Sequence, residues 1–169
     1  MPGHPIKGVT LSNLRFTFPG GGAEEDYERE VEELADQYPE AVMFGTLPAY
    51  GFYCRHVDGL RLENLDFELE SADQRPTLMF EDVQNLDISG LTERRPGTSA
   101  APVLLLRDVA WASIRGCRPA AASPVFLLLQ GNSSRVSVMG NDLTRVEKPF
   151  QFGPGLDSSV TYQSGNFLK

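Results

Sequence analysis

The sequence predicts an all-β fold, a parallel β-helix (solenoid) of about six coils forming one domain over residues 1–169, with a helix-containing insertion at about 19–50. Three observations predict it. An apolar-x-x-apolar-x-apolar-x-(Asn or Gly) phrase returns at a near-constant step. A bend-forming residue closes each copy. A second set of apolar runs recurs at the same interval. The copies are Ile6-x-x-Val9-x-Leu11-x-Asn13, Val57-x-x-Leu60-x-Leu62-x-Asn64, Val83-x-x-Leu86-x-Ile88-x-Gly90, Val109-x-x-Ala112-x-Ile114-x-Gly116 and the looser Val136-x-Val138-x-Gly140. Matched residues Leu11, Leu62, Ile88, Ile114 and Val138 lie 51, 26, 26 and 24 positions apart. A fixed period in the twenties built from short alternating segments marks stacked coils.

Within a copy the pattern alternates. Leu60, Leu62, Leu65, Phe67 and Leu69 are expected to point inward, and Arg61, Glu63, Asp66, Glu68 and Glu70 outward. Asn13, Asn64, Gly90, Gly116 and Gly140 occupy one place per coil, where the left-handed backbone of a sharp corner is tolerated. The second set of strands is Leu78–Phe80, Val103–Leu106, Val125–Leu129 and Phe150–Phe152. Pro76, Pro102, Pro124 and Pro149 are expected just before them, where a missing amide donor is tolerated. A coil is therefore three short strands and three turns, and the last runs from Val160 to Phe167. The doubled first step leaves room for the insertion, which opens on Pro19-Gly20-Gly21-Gly22. The spacing of Tyr27, Val31, Leu34 and Ala35 predicts a helix over Glu24–Gln37, stopped by Pro39, with its stripe on the solenoid and its acidic face in solvent.

A net charge of -8 speaks against nucleic acid or an anionic membrane surface as a partner, since both require a basic face. No apolar run is long enough to span a bilayer, and Met1-Pro2-Gly3-His4-Pro5 lacks the features of a secretory leader. Cys54 and Cys117 fall about two coils apart at different points of the coil, so the expectation is two buried free thiols rather than a disulfide.

Stacking at about 4.8 Å places Arg55, Glu81 and Arg107 in one outward ladder and His56, Asp82 and Asp108 in the next. Two stacked aspartates beside a histidine suit acid–base catalysis, and equally an exposed polar edge relieved by nearby arginines. Asp66, Glu68 and Glu70 share one outward strand face, but no Asp-x-Asp-x-Asp-Gly loop supports a calcium site, and neither a metal nor a cofactor is expected.

Several stretches carry a more specific resemblance: His4-Pro5-Ile6-Lys7-Gly8-Val9-Thr10-Leu11-Ser12-Asn13-Leu14, Tyr38-Pro39-Glu40, Met43-Phe44-Gly45, Leu47-Pro48-Ala49-Tyr50-Gly51-Phe52-Tyr53, Arg55-His56-Val57 and Asp73-x-Arg75-Pro76. From residue 3 to about 90 the chain resembles the C-terminal part of bacterial glycoside hydrolase family 28, the polygalacturonase-like enzymes. The resemblance implies a right-handed β-helix, action on galacturonide linkages of pectin and a secreted or periplasmic location. It also implies an inverting mechanism, in which one carboxylic acid protonates the leaving oxygen while a base activates water on the opposite face. The motifs that carry that chemistry in the family are Asn-Thr-Asp, Asp-Asp, Gly-His-Gly and a late Arg-x-Lys. None is present: Gly3-His4-Pro5 and Arg145-Val146-Glu147-Lys148 do not match, and no catalytic residue is carried over.

The expectation is therefore a non-catalytic, carbohydrate-associated or structural β-helix segment with a pectic polysaccharide as its partner. Tyr50, Tyr53, Arg55, His56 and Arg75 are the candidate sugar contacts, because rings stack on pyranose faces and arginine clamps carboxylates. The alternative use for Tyr50 and Tyr53 is packing the insertion, and for Arg75 pairing with Asp73. A pectin-degrading hydrolase, as part of a longer or split enzyme or with Asp82 and Asp108 as its own acid–base pair, is the competing reading. The apolar ends and unpaired amides of Ile6, Val9, Leu11, Leu14 and Phe16 predict contact with a second copy or a catalytic half, unless residues 19–50 fold back as a cap.

Overall fold

The computed structural model describes residues 3–38, 40 and 42–169. Its strands are β1 (Ile6–Phe18), β2 (Phe52–Leu69), β3 (Leu78–Ser89), β4 (Thr92–Arg94), β5 (Leu104–Arg115), β6 (Arg118–Pro119), β7 (Ser123–Gln130), β8 (Ser134–Met139), β9 (Val146–Phe152) and β10 (Thr161–Ser164), with one short helix, α1 (Glu24–Glu28). Every pairing among them is parallel. The chain is a β-solenoid.

Each coil has three faces. On the first, Phe52, Leu78, Leu104, Leu127 and Phe150 stack in register. On the second, which carries the repeated phrase, Leu11, Leu62, Ile88, Ile114, Val138 and Gln163 stack. On the third, Phe16, Phe67, Glu93 and Pro119 stack. About four turns are complete. The expected count of about six coils includes β1 at one end and β10 at the other, each a rung of an incomplete coil.

Two left-handed bends turn the chain between faces. The first lies at His56, Asp82 and Asp108, with φ of 56°, 51° and 55°. The second is the expected corner at Asn13, Asn64, Gly90, Gly116 and Gly140, with Gly165 continuing it. Asn64 Nδ2 donates to Asn13 Oδ1 across 2.8 Å, so the corner also binds adjacent coils. Because the first bend does not break the strand ladder, β2, β3 and β5 run through it as long bent strands.

Leu60, Leu62, Leu65, Phe67 and Leu69 are buried, as the alternation requires. The core is aromatic at its N-terminal end, where Phe16 stacks on Phe67 at 5.4 Å and Phe52 meets Phe67 edge-on at 5.3 Å. Sequence reasoning missed one core feature. Glu93 continues the inward column of Phe67 and is fully buried with Arg95, whose Nε donates to it, while Arg95 Nη2 donates to Thr77 Oγ1 at 3.0 Å. Both thiols are free; Cys117 is buried as expected, whereas Cys54 is half-buried, and burial raises their pKa values to about 12 and about 11.

Two expectations are corrected. Pro124 and Pro149 lie inside β7 and β9 rather than before strands. The helix covers only Glu24–Glu28, not Glu24–Gln37. Its first turn is capped by Asp26, whose carboxylate accepts from the Ala23 amide at 2.9 Å. Beyond Arg29 the carbonyls that would propagate a helix, those of Val31 and Glu32, accept instead from the Arg55 guanidinium. A helix this short gains little from propagation, so tertiary donors win. Tyr27 and Val31 of the predicted stripe still face the solenoid. Pro39, the expected stop signal, lies outside the described residues.

Candidate functional site

The insertion lies along the outward side of β2 and β3 and is fastened by the residues nominated as sugar contacts. Arg75 grips Asp73 with two parallel bonds, Nε to Oδ1 at 3.0 Å and Nη2 to Oδ2 at 2.7 Å, and its Nη1 donates to Leu47 O at 3.1 Å. Asp73 Oδ2 also accepts from the Gly22 amide at 2.9 Å. A Cβ at Gly22 would collide with the Arg75 guanidinium, so the glycine triplet admits this clasp. Burial works to raise the Asp73 pKa, but the bonds from Arg75 and the backbone amides outweigh it and hold the carboxyl below its ordinary value. Arg75 thus has its other expected use.

Tyr50 lies inside the coil, 5% exposed, its hydroxyl 2.9 Å from Thr77 Oγ1 and its ring edge-on to Phe18. It cannot stack on a sugar. Tyr53, Arg55 and His56 do meet, in a cleft of about 400 Å³ between the solenoid and Val31, Glu33, Phe44 and Leu47 of the insertion. Tyr53 donates to Glu81 Oε2 at 2.9 Å, and its pKa is raised first by burial and then by that carboxylate. Arg55 Nη1 lies 3.3 Å from Glu33 Oε1. His56 stands between two carboxylates, Nδ1 2.6 Å from Asp82 Oδ2 and Nε2 2.8 Å from Glu33 Oε1. The two contacts strap the bend to the insertion. Glu33 has its pKa lowered first by this hydrogen bond.

The carboxylates proposed for catalysis are similarly occupied. Asp82 holds His56, and Asp108 Oδ1 accepts from Asn132 N at 2.8 Å and Asn132 Nδ2 at 3.0 Å, shaping the turn after β7. The Arg55–Glu81–Arg107 ladder exists in register, and Arg107 lies 3.7 Å from Glu81. Asp66 accepts from Arg15 at 3.0 Å and from Arg94 at 2.8 Å. Among the described residues no cluster of His, Cys, Asp and Glu is arranged to hold a metal ion.

A second concavity, of about 510 Å³, lies on the outward second face of the C-terminal coils. Trp111 and Tyr162 are 56% and 63% exposed there, and the Arg135 guanidinium lies over the indole at 4.1 Å from the ring centroid. Sequence reasoning did not single out these residues. A signal was present: Gly8, Gly59, Asn85, Trp111 and Arg135 occupy the same place in successive copies of the phrase, and all have positive φ. Glycine and asparagine suit that column, whereas tryptophan and arginine do not.

Comparison with known proteins adds no relative: no family model, no curated protein and no solved structure matches this chain.

Proposed function

We propose that the chain is a non-catalytic β-solenoid segment that associates with carbohydrate of the pectic, uronate-bearing kind, the reading that its resemblance to glycoside hydrolase family 28 suggests. One observation carries the non-catalytic part: Asp82 and Asp108 are held by His56 and Asn132 at backbone bends. An inverting hydrolase needs two carboxyls facing each other across a sugar and a water. The stacked aspartates instead lie along one edge of the solenoid.

The open edge of β1 supports a partner at the N-terminal coil. Among the described residues β1 pairs only with β2, and Ile6 and Leu14 are 62% and 36% exposed. A second copy of the chain or a catalytic half would cover it. The insertion packs along the side of the coil through Arg55, His56 and Arg75, not over this edge.

Reducing-sugar release from polygalacturonate, with calorimetric binding to the same polymer, tests the reading. Binding without release is expected. Release that disappears in Asp82→Asn or Asp108→Asn would replace it with a hydrolase acting through its own carboxylates. Absence of both binding and release would leave a purely structural segment. Sedimentation at high concentration tests the N-terminal contact, and a clean monomer would remove self-association.

A further inference from the structure

We infer that the groove of Trp111, Arg135 and Tyr162 is a binding site for an acidic saccharide, a pyranose ring bearing a carboxylate; the inference deepens the carbohydrate reading above and rests on it. Four features of this groove point the same way.

The first is an unused cation. Arg135 forms no side-chain hydrogen bond or ion pair among the described residues, whereas Arg15, Arg55, Arg75, Arg94, Arg107 and Arg115 all pair with carboxylates. Its guanidinium lies over the indole, and stacking uses the face of the group while leaving its N–H donors at the edge. A guanidinium fixed in this way presents a fork that matches a carboxylate.

The second is the chemistry of the walls. Ser137 lines the groove with Tyr162, beside Ser113, whose hydroxyl accepts from Arg115 Nη1 at 3.0 Å, and Thr161, whose hydroxyl donates to Ser158 O at 2.9 Å; among the described residues no acidic side chain lines it, in a chain of net charge -8. Register sets the polar column: Arg61, Asp87, Ser113, Ser137 and Tyr162 are successive partners along the outward side of the second face. Charges at the N-terminal end give way to hydroxyls and then to an aromatic ring. The Ser137 hydroxyl, which makes no hydrogen bond among the described residues, can donate and accept beside the exposed rings, which suits the alternating polar edge and apolar face of a pyranose.

The third is strain. Trp111 and Arg135 adopt φ of 59° and 56° in a column where Gly8, Gly59 and Asn85 precede them. Bulky residues in the left-handed region persist where something beyond backbone stability retains them. The fourth is exposure: the indole and the phenol are both open to solvent next to one cation. An anion drawn to that charge meets two rings on arrival.

Trp111 is the only tryptophan in the chain, so its fluorescence reports on this groove alone. The experiment titrates a short galacturonate oligomer, and separately its methyl ester, against the full chain. It follows Trp111 emission and calorimetric heat together. Expected are a saturable emission change with the acid, about tenfold weaker binding of the uncharged ester, and a similar loss for the acid in Arg135→Ala. Trp111→Asn, read by calorimetry, is expected to lose binding while melting no lower than the parent chain, because asparagine accepts this backbone at Asn85. Calorimetric binding that leaves Trp111 emission unchanged and survives Arg135→Ala overturns the groove while keeping the carbohydrate reading. Equal affinity for acid and ester overturns the role of Arg135. No heat with either sugar overturns the carbohydrate reading and the groove with it.

Discussion

Beside the insertion, Arg55 and Arg75 each reach at least two acceptors supplied by the chain, and His56 stands between two carboxylates. In the groove of the C-terminal coils, Arg135 reaches, among the described residues, only the face of an indole. Both regions sit at left-handed positions of the same solenoid, one flanking His56 and the other at Trp111 and Arg135. The comparison teaches that a cluster of polar and aromatic residues is not yet a site. Where partners are internal the cluster is a fastening, and where they are missing the donors remain free for a ligand. Variants on the cleft side are therefore expected to change stability, and variants on the groove side to change binding.

The largest expected effect is at the buried pairs. Glu93→Ala leaves Arg95 charged inside the coil, and Asp73→Ala leaves Arg75 and the Gly22 amide without their acceptor. Each is expected to cost about 3 to 5 kcal/mol in urea unfolding, the usual penalty for removing one partner of a buried ion pair. Asp73→Ala should also open the insertion to protease while the Arg135 groove is unaffected. A loss below about 1 kcal/mol for Asp73→Ala would break the comparison, because the clasp would then not be fastening anything.

Acid should act on the cleft next. The pKa values of Glu33 and Asp73 are lowered in the folded chain. A depressed carboxyl contributes stability that is present above its unfolded value, about 4.3 for Glu and 3.9 for Asp, and lost as pH falls through the folded value. Their contribution is therefore intact from neutrality to about pH 4.5 and declines below that. Urea midpoints measured at descending pH should fall there, and Glu33→Gln should make the fall shallower. A Glu33→Gln profile parallel to that of the parent would remove the strap from the account.

Smaller effects belong to the groove. Arg135→Gly relieves a left-handed non-glycine residue and loses a cation–π contact, so its stability should stay within about 1 kcal/mol of the parent in denaturant titration. A greater loss would make Arg135 a structural residue like those of the cleft. The smallest effect is a control for the coil interior. With their pKa values raised by burial, Cys54 and Cys117 should resist a thiol reagent at pH 8 in the folded chain and react together on unfolding.

Some of this was legible early. Asn64, Gly90 and Gly116 announced the corner because a left-handed bend limits the residues that fit, and that limit acts locally. The aspartates at 82 and 108 could be placed in one column, but not assigned a use, since His56 and Asn132 come to them from other coils. The helix over 24–37 followed from local spacing, but the chain turns extended at Arg29, and the carbonyls of Val31 and Glu32 pair with Arg55, a residue beyond the reach of any local pattern.

By itself the sequence determined the repeat, the inward and outward alternation, the Asn or Gly corner of each coil and the place of the insertion, because each depends on residues within one coil of each other. Only the tertiary structure decided that Asp73 reaches back to Gly22, that Glu93 turns into the core with Arg95, and that Arg135 settles on Trp111. Those outcomes depend on register between coils, where stacking at about 4.8 Å brings together side chains that are distant in sequence.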